Sequence, residues 1–384
     1  MSHVYRVRPF VQHYDWGKLG SESAVARLLG SEKIDESKPY AELWMGNHVN
    51  GPCFVSVSDG EVPIWEVLKS HDWSLLFLFK VLSVGKALSI QSHPDSELAV
   101  RLHAQFPKLY RDSNPKPELA IALTEFRALF GFRPVEEVAY LLNGLPVREL
   151  LGENVLENLR SKRDTESLRT AYSALMTADP VIVQKTVAAV VSLVCVTDMS
   201  PLSVALSLAR NLDQQYPGGD VGVLSVFFLN IVDLKPGECL YMGPNVPHAY
   251  LSGDILECMT SSDNVIRGGL TPKFKDVPTL LSSLVYTSTD PSERLVPTFL
   301  REDHPCWSPP GVPFAVMKYQ LDAGKAPFHI EGTSEPSVVL VTHGNGRIGN
   351  LHVHTGSVVL LPPNQRILVT GGEDGICVYQ AFTP

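Results

Sequence analysis

No Cys-x-x-Cys pair occurs in this chain, and its six cysteines (Cys53, Cys195, Cys239, Cys258, Cys306 and Cys377) are scattered over 384 residues. That spacing argues against a disulfide framework or a thiolate metal clip and reads as reduced, mostly buried thiols, hence a cytoplasmic protein. Long apolar runs are missing as well. The most apolar stretch, residues 181–196, contains Gln184 and Lys185 and is too short to span a bilayer. The opening residues, Met1 to Pro9, have no apolar signal core. Basic charge is in deficit: 32 Lys and Arg stand against 41 Asp and Glu, a net charge of −9. General nucleic-acid and anionic-membrane surfaces are therefore not expected, and an anionic ligand would need a local cluster of cations. No repeat, heptad or low-complexity segment is present.

Hydrophobic residues make up 44% of the chain, enough for an ample core, and the length allows two or three domains. Residues 1–133 alternate short apolar runs with Gly, Pro and Asp, as in Pro52-Cys53-Phe54-Val55-Ser56-Val57. That is strand-and-turn character. After Pro134 the regime changes: Val135, Val138, Leu141 and Leu142 recur at helical spacing. Further helices are expected near 153–161, 166–176, 180–194 and 201–215, until Pro217-Gly218-Gly219 breaks the pattern. The run Val223 to Leu229 then reads as a strand, and the turn Lys235-Pro236-Gly237-Glu238 leads into another. From about 293 the chain is first Pro-rich and then strand-rich.

Gln91 and His93, in Leu88-Ser89-Ile90-Gln91-Ser92-His93-Pro94-Asp95, stand two apart, so on a strand both project from one face. Glu118 follows in Pro115-Lys116-Pro117-Glu118, and His248 in Asn245-Val246-Pro247-His248-Ala249-Tyr250. Two imidazoles, a carboxylate and an amide oxygen suit one Zn²⁺ that keeps an open position. Gln-x-His alone is a common pairing; only a fold that converges all four makes it a site. A Gly, an apolar strand, a Pro turn and then a His resemble the second metal motif of the cupin superfamily.

From near its first residue to about residue 290, the chain resembles the type I phosphomannose isomerases. The resemblance is carried by Tyr14-Asp15-Trp16-Gly17, Ala41-Glu42-Leu43-Trp44-Met45-Gly46, Leu78-Phe79-Lys80-Val81-Leu82, Leu88-Ser89-Ile90-Gln91, Lys116-Pro117-Glu118 and Asn245 to Tyr250. The run from Glu257 through Ser262-Asp263-Asn264 to Arg267 and Leu270-Thr271-Pro272-Lys273-Phe274 completes it, while the last hundred residues match loosely. The resemblance implies a mainly β protein with a helical insertion: two cupin-like jelly rolls, one catalytic and one degenerate and C-terminal, plus an α-helical domain. The expected boundaries are 1–133 and 236–292 for the catalytic roll, 134–235 for the helices and 293–384 for the C-terminal roll. A monomer is the family expectation.

By the same resemblance, Gln91, His93, Glu118 and His248 hold one zinc, and the substrate is a small sugar phosphate. Interconversion of mannose 6-phosphate and fructose 6-phosphate through an enediol would supply mannose donors for glycosylation. Such a reaction needs a carbonyl electrophile, a C–H base, a ring-opening group and a phosphate anchor. Arg267, Lys116, Asp263, Glu257 and Tyr250 are the candidate catalytic residues, Lys116 as a base of lowered pKa. Ser89, Lys80, Lys273 and Trp16 are the candidate substrate and phosphate residues; Trp16 and Glu42 also read as architectural. One departure stands out: Pro115 occupies the place of a family histidine proposed to open the sugar ring. Asp263 or a water at the metal would then take that task. Lys86 stands where the family does not usually carry a cation, and otherwise reads as a solvated turn. His352-Val353-His354 mimics a cupin pair without a downstream acid; His13, His48, His103 and His343 are weaker still. Two rivals remain: a sugar-phosphate binder that has lost turnover, suggested by Pro115, and a bicupin Fe(II) oxidoreductase, against which Gln91 and the Arg267/Lys273 pair count.

Overall fold

The computed structural model describes residues 4–30, 34–58, 60–194, 200–288, 295–301 and 303–384; Cys195 and the boundary expected at 292/293 lie outside them. Antiparallel pairing dominates. Along its main path a ten-stranded sheet orders Leu229–Leu234, Phe126–Phe132, His248–Met259, Leu78–Val84, Glu42–Met45 and Phe10–Gln12. Glu118–Ala122, Cys239–Met242, Ile90–Ser92 and Ile266–Gly269 branch from it. His248–Met259 is the hub, bonded to strands on both flanks, and all its residues except Ser252 are buried.

The hub strand contains the break that shapes the site. Arg127 faces Ser252, but its neighbour Ala128 faces Tyr250, so Leu251 is an extra residue in the ladder. A bulge of this kind shifts the side-chain alternation by one. Gly253, at φ +112°, follows it; a Cβ there would lie 2.4 Å from the carbonyl oxygen of Glu125. Only glycine fits that approach. Tyr250 and Glu257, seven apart and so on opposite faces of a regular strand, therefore share one face and one hydrogen bond.

A second, eleven-stranded sheet gathers the strands between Phe299 and Phe382 and extends through Val358–Leu361 to Tyr5–Arg8, Phe54–Val57 and Gly60–Pro63. Val7 pairs with Val358 on one side and Val55 on the other. One core cluster joins Val7, Phe79 and Leu256 to Trp307, Val316 and Leu340. The two β regions thus share an interior.

Between Phe132 and Leu229 lie the helices Val135–Asn143, Glu153–Lys162, Thr165–Met176, Pro180–Val191 and Pro201–Gln215. Their starts follow from side-chain caps: Asp164 forms a capping box, and Asp179 and Ser200 cap helices that carry Pro in the first turn. Leu141, Leu168, Tyr172, Val187 and Leu208 share one core cluster with Phe132 of the sheet, whose ring meets Tyr172 edge-on. The reading of Val223 to Leu229 as a strand is corrected. Val221–Ser225 is a short helix capped by Asp220, and the strand begins at Leu229. Every residue from Gly222 to Leu229 is buried, and a short, wholly buried apolar run has no period to separate helix from strand.

The described cysteines are free, four of them buried and Cys377 half-buried. Among the described residues no single helix is long and apolar enough to cross a membrane; Thr165–Met176 and Pro180–Val191 pass only together and are bent by 103°.

Candidate active site

Strand register gathers the site. His248, first residue of the hub strand, lies opposite Gln91, and Gln91 lies opposite Arg267 on its other side. Glu118 opens its strand opposite Met259, and Lys80 faces both Glu257 and Trp44 across the ladders. His93 follows the strand Ile90–Ser92 directly.

Three of the expected metal ligands form a buried cluster whose donor atoms all lie within 4.8 Å of one another: His93, Glu118 and His248. Glu118 Oε2 is 3.2 Å from His93 Nε2 and 3.6 Å from His248 Nε2. The Gln91 carboxamide reaches within 3.5 Å of His248 Nε2. On the far side of each ring, Nδ1–H donates to a backbone carbonyl, of Asn264 for His93 and of Val246 for His248, both at 2.9 Å. That fixes the tautomer and turns both Nε2 lone pairs inward. His93 Nε2 and Glu118 Oε2 are buried without a hydrogen-bond partner. Such atoms are costly unless something not made of protein satisfies them. Two neutral nitrogens, a carboxylate and an amide fit a divalent cation. Among the described residues no other His, Cys, Asp or Glu group converges in this way.

The electrostatics agree. Burial drives the His93 imidazole down to about 4, against the pull of Glu118, so the ring stays neutral and able to ligate. Burial pushes the Glu118 carboxyl up, but the Lys116 ammonium, at 2.9 Å from Oε1, outweighs it and holds it well below the usual range. Oε1 is thereby committed to Lys116, and Oε2 faces the imidazoles.

The cluster lies at the inner end of a cleft of about 610 Å³, which Trp16, Glu42, Lys80, Lys86, Ser89, Lys116, Tyr250, Glu257, Asp263, Arg267 and Lys273 all line. Every expected site residue borders this cleft or the cluster. Their roles are not alike. Lys80 is buried between Glu42 (3.4 Å) and Glu257 (3.3 Å) and lies 4.9 Å from the centre of the Trp44 ring. Burial favours its neutral form, but the two carboxylates outweigh that and keep it charged. Burial and the nearby Glu118 raise the Glu257 carboxyl, which accepts from the Tyr250 hydroxyl at 3.0 Å. Asp263 is held below its ordinary value by its hydrogen bond to His48, opposed by burial, and accepts from Asn50. Arg267 is half-buried, which lowers its pKa.

Pro115 does not line the cleft, and its carbonyl accepts from Thr260 Oγ1 at 2.8 Å. His352 and His354 point out of their strand to solvent, His352 beside Arg347. Asp112 carried no advance signal, and Asn264 and Glu42 stood only in runs that carry the resemblance. Asp112 and Asn264 lace the segment before Lys116 to the loop after the hub strand, through Asn264 Nδ2 to the carbonyls of Asp112 and Asn114. Glu42 is a buried partner of Lys80 rather than scaffold alone.

A family model described as the phosphomannose isomerase type I catalytic domain matches residues 4–135. The mannose-6-phosphate isomerase of Bos taurus is 40% identical over 371 residues, covering 89% of this chain and 88% of the relative. Mannose-6-phosphate isomerase 2 of Arabidopsis thaliana is 39% identical, with 98% and 93% covered. A crystal structure of a mutant phosphomannose isomerase from Salmonella typhimurium superposes with a TM-score of 0.87 at 25% identity over 99% of both chains. A zinc-bound mannose 6-phosphate isomerase superposes with the same TM-score, identity and coverage. The chain belongs to the type I phosphomannose isomerases, the mannose-6-phosphate isomerase family.

Proposed function

We propose that this chain is a zinc-dependent enzyme of the cytoplasm that interconverts mannose 6-phosphate and fructose 6-phosphate through an enediol, as a monomer, feeding the mannose donors of glycosylation. The observation that carries the reading is the convergence of His93 Nε2, Glu118 Oε2 and His248 Nε2, two of them buried without partners, at the inner end of a cation-rimmed cleft. In this reading the catalytic β unit (1–133 and 236–292) and the C-terminal unit (293–384) are cupin-like jelly rolls, and 134–235 is the helical unit. The strand Tyr5–Arg8 belongs by pairing to the C-terminal sheet.

Gln91, His93, Glu118 and His248 would hold the zinc. When bound, it supplies a Lewis acid toward charge that develops on the substrate's oxygens. The remaining work falls to the protein. Lys116, fixed by Glu118, borders the cleft beside the cluster and is our candidate for carrying the proton between C1 and C2. Arg267, with no carboxylate partner among the described residues, can meet enediolate charge with its fork of donors. Tyr250 and Glu257 form a bonded pair that can orient sugar hydroxyls. Asp263, held by His48 and Asn50, is placed to exchange a proton during ring opening, the task that Pro115 cannot perform. Trp16, stacked on Tyr14, walls the cleft.

A coupled assay for fructose 6-phosphate formation tests the reading. We expect activity that disappears on chelation and returns with Zn²⁺. Absence of product from protein loaded with one zinc per chain would leave a sugar-phosphate binder instead. Metal analysis of the purified protein that found iron would revive the oxidoreductase alternative.

A further inference from the structure

Five Lys and Arg side chains line the cleft: Lys80, Lys86, Lys116, Arg267 and Lys273. Two are already matched by carboxylates, Lys80 to Glu42 and Glu257, and Lys116 to Glu118. An ammonium between two buried carboxylates has little net field left for a third anion. Among the described residues Lys86, Arg267 and Lys273 have no ion-pair partner, so a phosphate entering the cleft meets their charge uncompensated.

Lys86 is not a solvated turn residue. Its Nζ lies 4.4 Å from the centre of the Tyr216 ring, a cation–π contact that restrains the stem and leaves the ammonium's donors free. The backbone on both sides is tied down. Gly85 and Lys86 both donate to the Trp16 carbonyl at 2.9 Å. Ala87 donates to Gln215 Oε1 at 2.7 Å, and the Tyr216 hydroxyl donates to the Ala87 carbonyl at 2.5 Å. Gln215 and Tyr216 are the end of the helix Pro201–Gln215. The helical segment thus reaches the rim of the cleft and holds one lysine in place. Ser89, three residues on, turns its hydroxyl toward Gln91 at 3.5 Å and links this rim to the metal cluster.

We propose that Lys86, positioned by Tyr216 and Gln215, is a phosphate anchor and specificity determinant of this chain, acting with Ser89 and Lys273, while Lys80 holds the carboxylates of the cleft floor. This deepens the isomerase reading and rests on it for the substrate's identity. It also gives the helical insertion a task at the site, fixing the rim where the substrate's charged end is held.

The test compares the parent, Lys86→Ala and Lys86→Arg at equal zinc content. For Lys86→Ala we expect KM for mannose 6-phosphate to rise about tenfold with kcat nearly unchanged, the size of one charge-assisted contact. Inhibition by inorganic phosphate should weaken by the same factor, and Lys86→Arg should recover most of both. Unchanged KM and unchanged phosphate inhibition in Lys86→Ala would overturn the proposal, as would a fall in kcat alone. If the parent itself makes no fructose 6-phosphate, the isomerase reading fails separately. Calorimetric titration of the zinc-loaded protein with inorganic phosphate then decides Lys86 alone: weaker binding by Lys86→Ala supports the anchor, and equal binding overturns it.

Discussion

At the scale of single residues, His93 and His248 are set up to ligate a metal through their far nitrogens. Each Nδ1–H is spent on a backbone carbonyl, and each Nε2 faces Glu118. The unpaired cations divide the remaining work by depth. Arg267 is half-buried opposite Gln91, whereas Lys273 is exposed at the cleft mouth. Arg267→Ala should therefore lower kcat, by roughly 10²–10³-fold as for loss of a donor aimed at transition-state charge, while Lys273→Ala should mainly raise KM. Steady-state constants for both variants with mannose 6-phosphate check this. A kcat for Arg267→Ala equal to the parent's would reduce that side chain to a structural role. Pro115 leads to a different expectation. It lies off the cleft with its carbonyl bound by Thr260, so Pro115→His should change kcat by less than about tenfold, short of the roughly 10²–10⁴-fold that a positioned acid or base supplies. A gain above tenfold under equal metal loading would instead mean that the parent is an impaired enzyme.

At the scale of elements, the site depends on irregularities. The extra residue at Leu251 and the close approach at Gly253 turn Tyr250 and Glu257 onto the same face. Asp220 does comparable work on the opposite wall. One carboxylate oxygen caps the helix Val221–Ser225 at Gly222 N (2.7 Å) and also accepts from Leu270 N at 2.7 Å. Leu270, at φ +52°, begins the loop that carries Lys273. Asp220→Ala leaves two backbone N–H groups unpaired, so we expect a loss of about 1–3 kcal/mol of stability and a raised KM as that loop loosens. Denaturant unfolding beside substrate kinetics would test it; unchanged values in both would show that neither bond matters. Val223 to Leu229 makes the complementary point. Its composition is compatible with strand or helix, and the Asp220 cap together with burial on all sides selects the helix.

At the scale of the whole molecule, an acidic chain of net charge −9 brings three cations without ion-pair partners among the described residues, Lys86, Arg267 and Lys273, to one cleft. In the isomerase reading, this local cluster is what would meet the substrate's phosphate within an acidic whole. The shared core joining Val7, Phe79 and Leu256 to Trp307 and Leu340, and the pairing of Tyr5–Arg8 with Val358–Leu361, make the C-terminal sheet part of the catalytic body. A fragment ending at residue 288 would bare these side chains and leave Tyr5–Arg8 with an open edge. We expect it to be insoluble or inactive. Recovery of soluble fragment with full isomerase activity would show that the C-terminal region is dispensable.

The sequence by itself determined the local features and the family. Apolar residues at helical spacing announced the helices near 153, 166, 180 and 201, because that period is set by residues within four positions of one another. Runs in the right order carried the resemblance, and with it Gln91, His93, Glu118 and His248. The tertiary structure alone decided which charges are matched. Lys80 lies 38 residues from Glu42 and 177 from Glu257, and only ladder register turned a candidate phosphate ligand into the partner of two carboxylates. Lys86 over Tyr216, and the first strand in the last sheet, are likewise contacts between distant segments. Such contacts are selected by packing of the whole chain, and no short-range pattern encodes them.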